Sequence, residues 1–482
     1  MRAGEQLGTL PRRVGPIEDR ISRRHFRCGG LTCCLALLER LGKLANCSFS
    51  TAMCRGAVSR PQPLDAVRKK GFHVISLLIR FVAVPDVIWL YAGCRPVMLA
   101  GAVFPWRSDN QFRLLIDGPG FFPPMLDAIE RAERRVDLEL YLVEDGACLD
   151  RLLEPLLRAA ARGVRVRCLF DGFGCLKMSQ ANRDRMTAAG VELRLYNPLS
   201  LRLRLRNLHR DHRKLLLVDG CIGYVGGTGV TDEFWRPDQP DVHWHEVMVE
   251  MTGPLLQDWQ DLFDTQWVHC LKRRIWQLPL PSGAPRIPVL PSGSGLGRVA
   301  YAAARQHRDI LHSLLRNLRR AQTRIWLATP YFLPTGKVRR ALIRAARRGV
   351  DVRLLLTSRN TDHPPVRYAG QRFYPRLLRA GVRIHEYQPH FSHLKMVLVD
   401  DWVSVGSCNF DHWNLRWNLE ANLEAIDAVL SAQVQACFER DFQDSIEIDI
   451  KSWYARPLHL RLYQRMWGWL DRLLVNIFNR GG

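Results

Sequence analysis

The sequence predicts a duplicated α/β fold: two tandem repeats, each a mostly parallel or mixed sheet flanked by helices. Three observations lead to this prediction. A chain of 482 residues is too long for one ordinary core. From Gln111 onward, apolar strand patterns alternate with amphipathic helix patterns. The same order of segments then returns in the second half of the chain.

The first repeat opens with "QFRLLIDG", which predicts a strand and a turn, and "PPMLDAIERAERR", which predicts a helix with Pro at its start. "VDLELYLV" predicts the next strand, and "CLDRLLEPLLRAAARG" predicts an amphipathic helix that ends at Gly163. "VRVRCLFDG" and "VELRLYNP" predict two more strands, with the end of a helix, "RMTAAG", between them. Strands that alternate with helices are typical of a largely parallel sheet.

The second repeat carries matching segments in the same order: "RAQTRIWLATPYF", "LIRAARRGVDVRLLLTS" and "RAGVRIHEYQP". The joint is expected in "LPLPSGAPRIPVLPSGSG", because Pro, Gly and Ser are typical of linkers. The predicted boundaries are 1–108 for a poorly ordered extension, 109–285 and 286–445 for the repeats, and 446–482 for an amphipathic tail. An alternative for the extension is translation that begins at Met98.

The composition indicates which classes of binding partner are expected. The net charge is +23, which favours an anionic partner, either nucleic acid or an anionic lipid surface. The 13 cysteines include no paired CxxC, so we expect reduced thiols rather than a zinc site. The most apolar window, "FHVISLLIRFVAVPDVIWLYAGC", contains Arg80, Pro85 and Asp86 and does not predict a clean transmembrane span.

One short motif occurs twice, as "HRKLLLVDGCIGYVGG" from His212 and "HLKMVLVDDWVSVGS" from His393. Each apolar run predicts a buried strand, and the His and Lys before it, two apart, point to the same face. Lysine offers a compact positive charge for phosphoryl oxygens, and imidazole can act as nucleophile or general acid. Covalent exchange of a phosphodiester needs two such imidazoles, so both copies are predicted to face one pocket at the interface of the repeats.

The two HxKxxxxD motifs, each followed by a small-residue segment, resemble the signature of the phospholipase D superfamily. The resemblance covers about residues 109–445, and "AARGVRVRCLFDGFG", "VGSCNFD" and "NLEANLEAIDA" look most like bacterial cardiolipin synthases. The resemblance implies a metal-independent phosphatidyl transfer in two steps through a phosphohistidine, with no cofactor.

The resemblance also implies site residues. The candidate catalytic residues are His212, Lys214, Asp219, His393, Lys395 and Asp400. The candidate phosphate-binding residues are Gly227, Ser407 and Asn409, and a carboxylate about thirty residues beyond each His is expected to orient its ring: Glu246, with Asp241 as competitor, and Glu420. His212 is expected to be the nucleophile and His393 the general acid. The two Asp of the motifs lie at turns and are expected to support structure more than to contact substrate. Gly229 stands where the family usually has Asn.

Other histidines and charges have competing interpretations. His209, His243 and His245 lie near the first motif, but their neighbours do not converge as a ligand set, so no metal is predicted. "LRLRLRNLHRDHRK" predicts either a solvated basic segment or a rim for anionic head groups. The tail "LHLRLYQRMWGWLDRLLVNIFNR" predicts an amphipathic helix with Tyr463, Met466, Trp467, Leu470, Leu473, Leu474 and Ile477 on one face.

These observations favour a cardiolipin synthase that transfers a phosphatidyl group to phosphatidylglycerol, from phosphatidylglycerol or another phospholipid donor. A peripheral position on the cytoplasmic side of a bacterial inner membrane is expected, and nucleic acid is disfavoured as a partner. The alternatives are a phospholipid hydrolase or nuclease of the same superfamily, or an inactive lipid-binding relative.

Overall fold

The structure, a computed structural model, describes residues 104–200, 207–236, 238–239, 243–271, 291–303 and 307–480. The described residues all belong to one compact unit. The predicted extension up to residue 103 and the start of the joint between the repeats lie outside the described residues.

Residues 107–271 form lobe 1, which follows the predicted alternation of strands and helices. Its elements are β1 (Arg107–Ile116), α1 (Asp117–Glu130), β2 (Arg135–Leu140), α2 (Ala147–Ala161), β3 (Arg165–Asp171), α3 (Gln180–Ala188), β4 (Glu192–Tyr196), β5 (Leu215–Val218), β6 (Ile222–Gly226), β7 (Val247–Thr252) and α4 (Leu256–Leu271). One prediction is wrong: Pro123 and Pro124 lie inside α1 rather than at its start. Phe121 and Phe122 ahead of them are fully buried, and this burial outweighs the hydrogen bonds that the prolines remove.

Residues 295–447 form lobe 2, which repeats the order of lobe 1. Its elements are β8 (Gly295–Ala303), β9 (His307–Arg308), α5 (Asp309–Arg320), β10 (Arg324–Thr329), α6 (Gly336–Arg347), β11 (Asp351–Thr357), α7 (Pro364–Gln371), α8 (Tyr374–Leu378), β12 (Arg383–Tyr387), β13 (Met396–Val399), β14 (Trp402–Gly406), α9 (Asn414–Trp417), β15 (Leu419–Ile426), α10 (Ala428–Gln443) and β16 (Ser445–Glu447). Two helices follow, α11 (Ile450–Tyr454) and α12 (Leu458–Arg480).

Within the described residues, the strands form one mixed sheet of 16 strands. Its order is β16-β12-β11-β10-β13-β14-β15-β8-β1-β7-β6-β5-β2-β3-β4, with β9 paired to β8. The first strands of the two lobes, β1 and β8, lie side by side and antiparallel at its centre. In each lobe three strands pair in parallel, β2-β3-β4 and β10-β11-β12, and the others are antiparallel. The predicted α/β fold of two tandem repeats is confirmed.

The two lobes share a hydrophobic core. One buried cluster combines Trp259 and Phe263 of α4 with Val434 and Phe438 of α10. Strands from both lobes complete it, and each lobe also has a second cluster of its own. A common core of this size holds the strands that carry the two motifs against each other, because separating the lobes would expose it to water.

The Asp of each motif closes a hairpin. Asp219 and Asp400 adopt left-handed backbone conformations, with φ of 54° and 50°, which Asp tolerates better than most residues. The carboxylate of Asp219 accepts hydrogen bonds from the N–H groups of three consecutive residues, Glu133 to Arg135. Asp400 accepts the equivalent three from Gln322 to Arg324. Each Asp therefore anchors the start of a neighbouring strand, β2 or β10.

The helix α12 packs on α7 of lobe 2. Among the described residues, no helix has the length and hydropathy that crossing a membrane requires.

Candidate active site

Two short parallel bridges connect the lobes at the point where each motif begins. Asp211 pairs with Leu419, and Ser392 pairs with His245. The N–H of His212 donates to the carbonyl of Leu419 at 2.9 Å, and the N–H of His393 donates to the carbonyl of His245 at 2.8 Å. Since Leu419 precedes Glu420 and His245 precedes Glu246, each bridge places a motif His beside a glutamate of the opposite lobe.

The His and Glu side chains consequently pair across the interface. Nδ1 of His212 lies 3.0 Å from Oε2 of Glu420, and Nδ1 of His393 lies 2.7 Å from Oε2 of Glu246. The expectation that each ring is oriented by the carboxylate that follows it in its own repeat is wrong, because the bridges bring the opposite glutamate closer. A carboxylate acceptor favours the proton on Nδ1 and leaves Nε2 for chemistry. At His393, Nζ of Lys395 also lies 2.8 Å from Nδ1.

Both motif lysines are buried beside these pairs. Nζ of Lys214 donates to the carbonyl of His212 at 2.5 Å and lies 5.2 Å from the ring centroid of Tyr141. Nζ of Lys395 donates to Oε2 of Glu246 at 3.2 Å and to the carbonyl of His393. Lys395 is thus ion-paired with the carboxylate that holds the neighbouring imidazole, whereas Lys214 faces an aromatic ring.

Each motif lysine affects the pKa of the histidine in the opposite motif. Burial lowers the pKa of Lys214 to about 7, with Glu420 opposing that shift and Lys395 adding to it. Burial also lowers the pKa of Lys395. The charge of Lys395 lowers the pKa of His212, and that of Lys214 lowers the pKa of His393. All four side chains are buried, and each lysine affects the imidazole of the opposite motif, as expected for groups of one site.

The two imidazoles differ in their surroundings. Burial lowers the pKa of His212 while Glu420 counteracts it, and burial together with both lysines lowers the pKa of His393 well below its ordinary value. Burial raises the pKa of Glu246. Burial disfavours the charge of Glu420 as well, yet its contacts with His212 and Lys214 lower its pKa. His212 therefore has the more strongly ionised carboxylate partner.

The small residues after each motif shape the pockets of the two glutamates. A Cβ at Gly227 would lie 2.1 Å from Oε2 of Glu246, so that position has no space for a side chain. At the equivalent position of lobe 2, the Ser407 hydroxyl donates to Oε2 of Glu420 at 2.5 Å. Gly227 thus makes space for one carboxylate and Ser407 binds the other, so the structure places two of the three predicted phosphate-binding residues against the glutamates.

A second difference between the lobes lies two residues beyond Gly227 and Ser407, at Gly229 and Asn409. Asn409 is buried, and its side-chain oxygen has no hydrogen-bond partner among the described residues. A Cβ at the equivalent Gly229 would lie 3.0 to 3.1 Å from Leu142 and Phe234. These apolar side chains occupy the space that Asn would need in lobe 1.

Aromatic side chains that the sequence did not single out surround His393. The rings of Phe234 and Trp244 each lie 5.5 Å from the His393 ring, and Phe391 lies 5.7 Å from it. His212 has one aromatic contact of this kind, the Tyr141 ring at 4.8 Å, among the described residues. Phe234 and Trp244 stand in irregular segments far from His393 in sequence, so no spacing pattern identifies them.

A second buried network lies directly beside Glu246. Nδ1 of His245 lies 2.8 Å from Asp117, and its Nε2 lies 3.2 Å from Asp441 of the opposite lobe. Burial opposes a charge on His245, but the two carboxylates raise its pKa well above the ordinary value. His243 lies 3.2 Å from the same Asp117. Two of the three histidines that were weighed as metal ligands, His243 and His245, therefore contact the carboxylate of Asp117, and His245 also connects the lobes through Asp441.

The Asp of each motif lies away from this cluster. Asp219 and Asp400 follow their histidines by seven residues, about 20 Å along a strand, and bind backbone N–H groups there. Arg210 is buried against Asp171 at 3.2 Å, not on a rim, and Asp241 lies outside the described residues. Asp171 also accepts the N–H of Asp211 at 2.9 Å and so positions the start of the first motif, a role the sequence did not indicate.

Two lobes that meet over paired His, Lys and Glu side chains define an enzyme of the phospholipase D superfamily. A family profile described as "Cardiolipin synthase, PLD-like domain" matches residues 125–267 and 314–442. These two segments fall in lobe 1 and lobe 2. The chain belongs to this cardiolipin synthase family, and it is an enzyme of the phosphatidyltransferase class.

Similar curated proteins carry the same family name. Cardiolipin synthase A of Pseudomonas syringae is 33% identical over 374 residues, which are 77% of this chain and 76% of that protein. Cardiolipin synthase A of Pseudomonas aeruginosa is 34% identical over 348 residues, 71% of this chain and 69% of that one. Cardiolipin synthase 2 of Bacillus anthracis is 31% identical over 76% of this chain and 71% of its own length.

The fold is similar to a solved one. The crystal structure of a phosphatidylserine synthase from Haemophilus influenzae superposes with a TM-score of 0.62, covering 78% of this chain and 95% of that chain. The sequences are 13% identical, so the likeness is one of fold.

Proposed function

We propose that the chain is a cardiolipin synthase that transfers a phosphatidyl group to phosphatidylglycerol through a phosphohistidine. The observation that carries the proposal is the pair of buried His–Glu contacts that cross the interface between the lobes, with both motif lysines buried beside them. A phosphodiester in that site would meet a nucleophile, a proton donor and compensating positive charge at once.

In the first step, Nε2 of His212 attacks the phosphorus of the donor lipid. The bond from phosphorus to the head-group oxygen breaks, and Nε2 of His393 gives its proton to that oxygen. When the donor is phosphatidylglycerol, glycerol leaves. The phosphorylated ring of His212 is positively charged, and the ionised Glu420 at Nδ1 stabilises it. The negative charge of the bound diester offsets the lysine charges that lower the pKa of His393, so His393 can hold the proton it must donate.

In the second step, the free glycerol hydroxyl of phosphatidylglycerol replaces the departed alcohol. His393 takes the proton of that hydroxyl, whose oxygen attacks phosphorus, and the bond from phosphorus to His212 breaks. Water in the same place would give phosphatidic acid, so the aromatic side chains around His393 favour transfer by limiting access of water.

The substrates place the enzyme at a membrane surface, and the net charge of +23 favours anionic lipids. We propose a peripheral position on the cytoplasmic side of a bacterial inner membrane. Asn409 and the two lysines are the proposed ligands of the phosphoryl oxygens, since Asn409 is buried with amide capacity to spare.

The test is lipid analysis in a host that lacks its own cardiolipin synthases, with wild type, His212→Ala and His393→Ala. Cardiolipin is expected with wild type alone. Purified protein should also be incubated with labelled phosphatidylglycerol liposomes and with DNA. Phosphatidic acid without cardiolipin would assign a hydrolase, strand cleavage would assign a nuclease, and no turnover with no acid-quenched adduct would assign an inactive binder.

A further inference from the structure

The C-terminal helix α12 attaches to lobe 2 by its polar side. Gln464 and Asp471 are buried against the body of the protein. Asp471 accepts hydrogen bonds from Arg372 at 2.6 Å and from the indole N–H of Trp413 at 3.1 Å, and it lies 3.5 Å from Nε2 of His412. The docking of α12 thus depends on hydrogen bonds and ion pairs more than on apolar burial.

The opposite side of α12 presents apolar side chains to solvent. Their exposed fractions are 71% for Leu458, 61% for Leu462, 48% for Met466, 59% for Trp469 and 38% for Leu473. Spacings of three and four residues place all five on one face of the helix, which we call the apolar stripe. The single apolar face predicted from sequence is wrong in part, because Trp467 and Leu470 point toward lobe 2 and line a cavity there.

A pocket rich in arginine adjoins the apolar stripe. Its volume is about 230 Å³, and the side chains of Arg372, Arg456, Arg461, Arg465 and Arg472 line it. None of the lining residues is acidic. Among the described residues, one of these five guanidinium groups has an ion-pair partner, Arg372 with Asp471. Burial lowers the pKa of Arg456 to about 10, and Arg367 and Arg461 also lower it, although Glu386 counteracts the shift. The pocket therefore has positive charge that the protein does not balance.

We propose that this arginine pocket binds the phosphate group of an anionic phospholipid whose acyl chains lie along the apolar stripe. Guanidinium groups bind phosphate through paired hydrogen bonds, and an amphipathic helix with Trp and Arg is typical of the bilayer interface. The arginine pocket alone does not account for the apolar stripe, and the stripe alone does not account for the pocket. One lipid molecule, with a phosphate group and acyl chains, would contact both. The inference deepens the membrane part of the proposed function and rests on it for the class of lipid.

The helix that carries this lipid site contacts the segment that follows the second motif. Asn409 precedes His412 by three residues, and His412 and Trp413 both contact Asp471 of α12. These contacts connect α12 with the segment that follows Asn409.

The experiment is binding of the full chain to vesicles of phosphatidylglycerol and of phosphatidylcholine, measured by sedimentation. The double variant Arg461→Gln/Arg465→Gln is expected to bind phosphatidylglycerol vesicles about thirtyfold more weakly, since each basic residue near an anionic surface contributes about fivefold. The matched control is Arg340→Gln/Arg344→Gln on α6, which removes the same charge from another basic pocket with no exposed large apolar side chain beside it. That control is expected to stay within about twofold of wild type. Equal losses in the two double variants would overturn the proposal, because general charge would then explain the binding.

Two further arms separate lipid from free phosphate. Leu462→Ser/Trp469→Ser is expected to weaken binding to phosphatidylglycerol vesicles at least about tenfold, because exposed apolar side chains insert into the interface. If inorganic phosphate raises the melting temperature through the pocket but the stripe variant binds vesicles like wild type, the lipid assignment is wrong.

Activity is measured in a separate assay, with short-chain phosphatidylglycerol below its critical micelle concentration. All these variants are expected to keep wild-type rates there, because the substituted side chains belong to α12 and α6 and make no contact with the paired His, Lys and Glu side chains. Loss of vesicle binding with that activity intact supports the lipid site. Wild type that binds vesicles but forms no product contradicts the proposed function and leaves the lipid site standing.

Discussion

The two halves of the active site derive from one motif but differ in what surrounds each imidazole. His212 contacts a Glu420 whose pKa is lowered and whose carboxylate also accepts the Ser407 hydroxyl. His393 contacts a Glu246 whose pKa is raised and whose carboxylate is shared with Lys395. Duplication supplies a matched geometry, and a few neighbouring side chains then give the two imidazoles different electrostatic surroundings.

The largest effect is expected at the two histidines, and a change of leaving group separates their roles. With natural lipid, His212→Ala and His393→Ala should each lower transfer by at least about a thousandfold. A donor with a nitrophenol leaving group needs no general acid, so His393→Ala should still release nitrophenol once and form a phosphohistidine. His212→Ala should do neither. Rapid-quench detection of the adduct checks this, and the opposite result would exchange the two roles.

Smaller losses of activity are expected from substitutions at Gly227 and Ser407, and the two losses should differ. Gly227→Ser places a side chain where Glu246 now lies, so His393 loses its partner and activity should fall about a hundredfold. Ser407→Gly removes one hydrogen bond from Glu420 and should cost about tenfold. Comparison of kcat/KM for the two variants, with melting temperature as the control for folding, measures the difference. Equal losses would mean that the two glutamate pockets are equivalent.

The pH dependence of anion binding should identify Lys214. Burial lowers its pKa to about 7, so in the free enzyme its charge is present below pH 7 and is lost as the pH rises through 7. Affinity for sulfate, whose own charge does not change in this range, should fall about tenfold from pH 6 to pH 8. Calorimetric titration measures it. Lys214→Arg should give a flat profile because arginine stays charged, and an unchanged slope in that variant would assign the titration elsewhere.

The smallest effect on activity is expected at the turn residues. Asp219→Ala removes the acceptor of three N–H groups and a residue that tolerates φ of 54°, so the free energy of unfolding should drop by about 1–3 kcal/mol. Asp219→Asn should retain most of the stability, because Asn also tolerates this conformation. Activity per folded molecule should stay near wild type in both. A hundredfold loss in folded Asp219→Asn would show that this residue serves catalysis after all.

Much of the site was open to prediction from the sequence because its chemistry is local. The spacing of His212 and Lys214, the buried strand behind them and the turn at Asp219 all depend on neighbours in the chain. The second copy at His393 added what one copy lacks, since two matched repeats indicate a single pocket between them.

Long-range features of the site had no such local signal. Phe234 and Trp244 surround His393 from segments without regular periodicity, and Asp441 reaches His245 from the opposite lobe. The spacing of residues in α12 does not predict its orientation either, because the orientation depends on hydrogen bonds between its polar side chains and lobe 2.

The sequence by itself determined the repeated α/β order, the family and the residues of the two motifs, because periodicity and spacing express contacts within a few residues. Only the tertiary structure decided which glutamate serves which histidine. Two interlobe bridges, Asp211 with Leu419 and His245 with Ser392, place each histidine beside the glutamate of the opposite lobe. Pairing across an interface depends on how two surfaces dock rather than on distance along the chain.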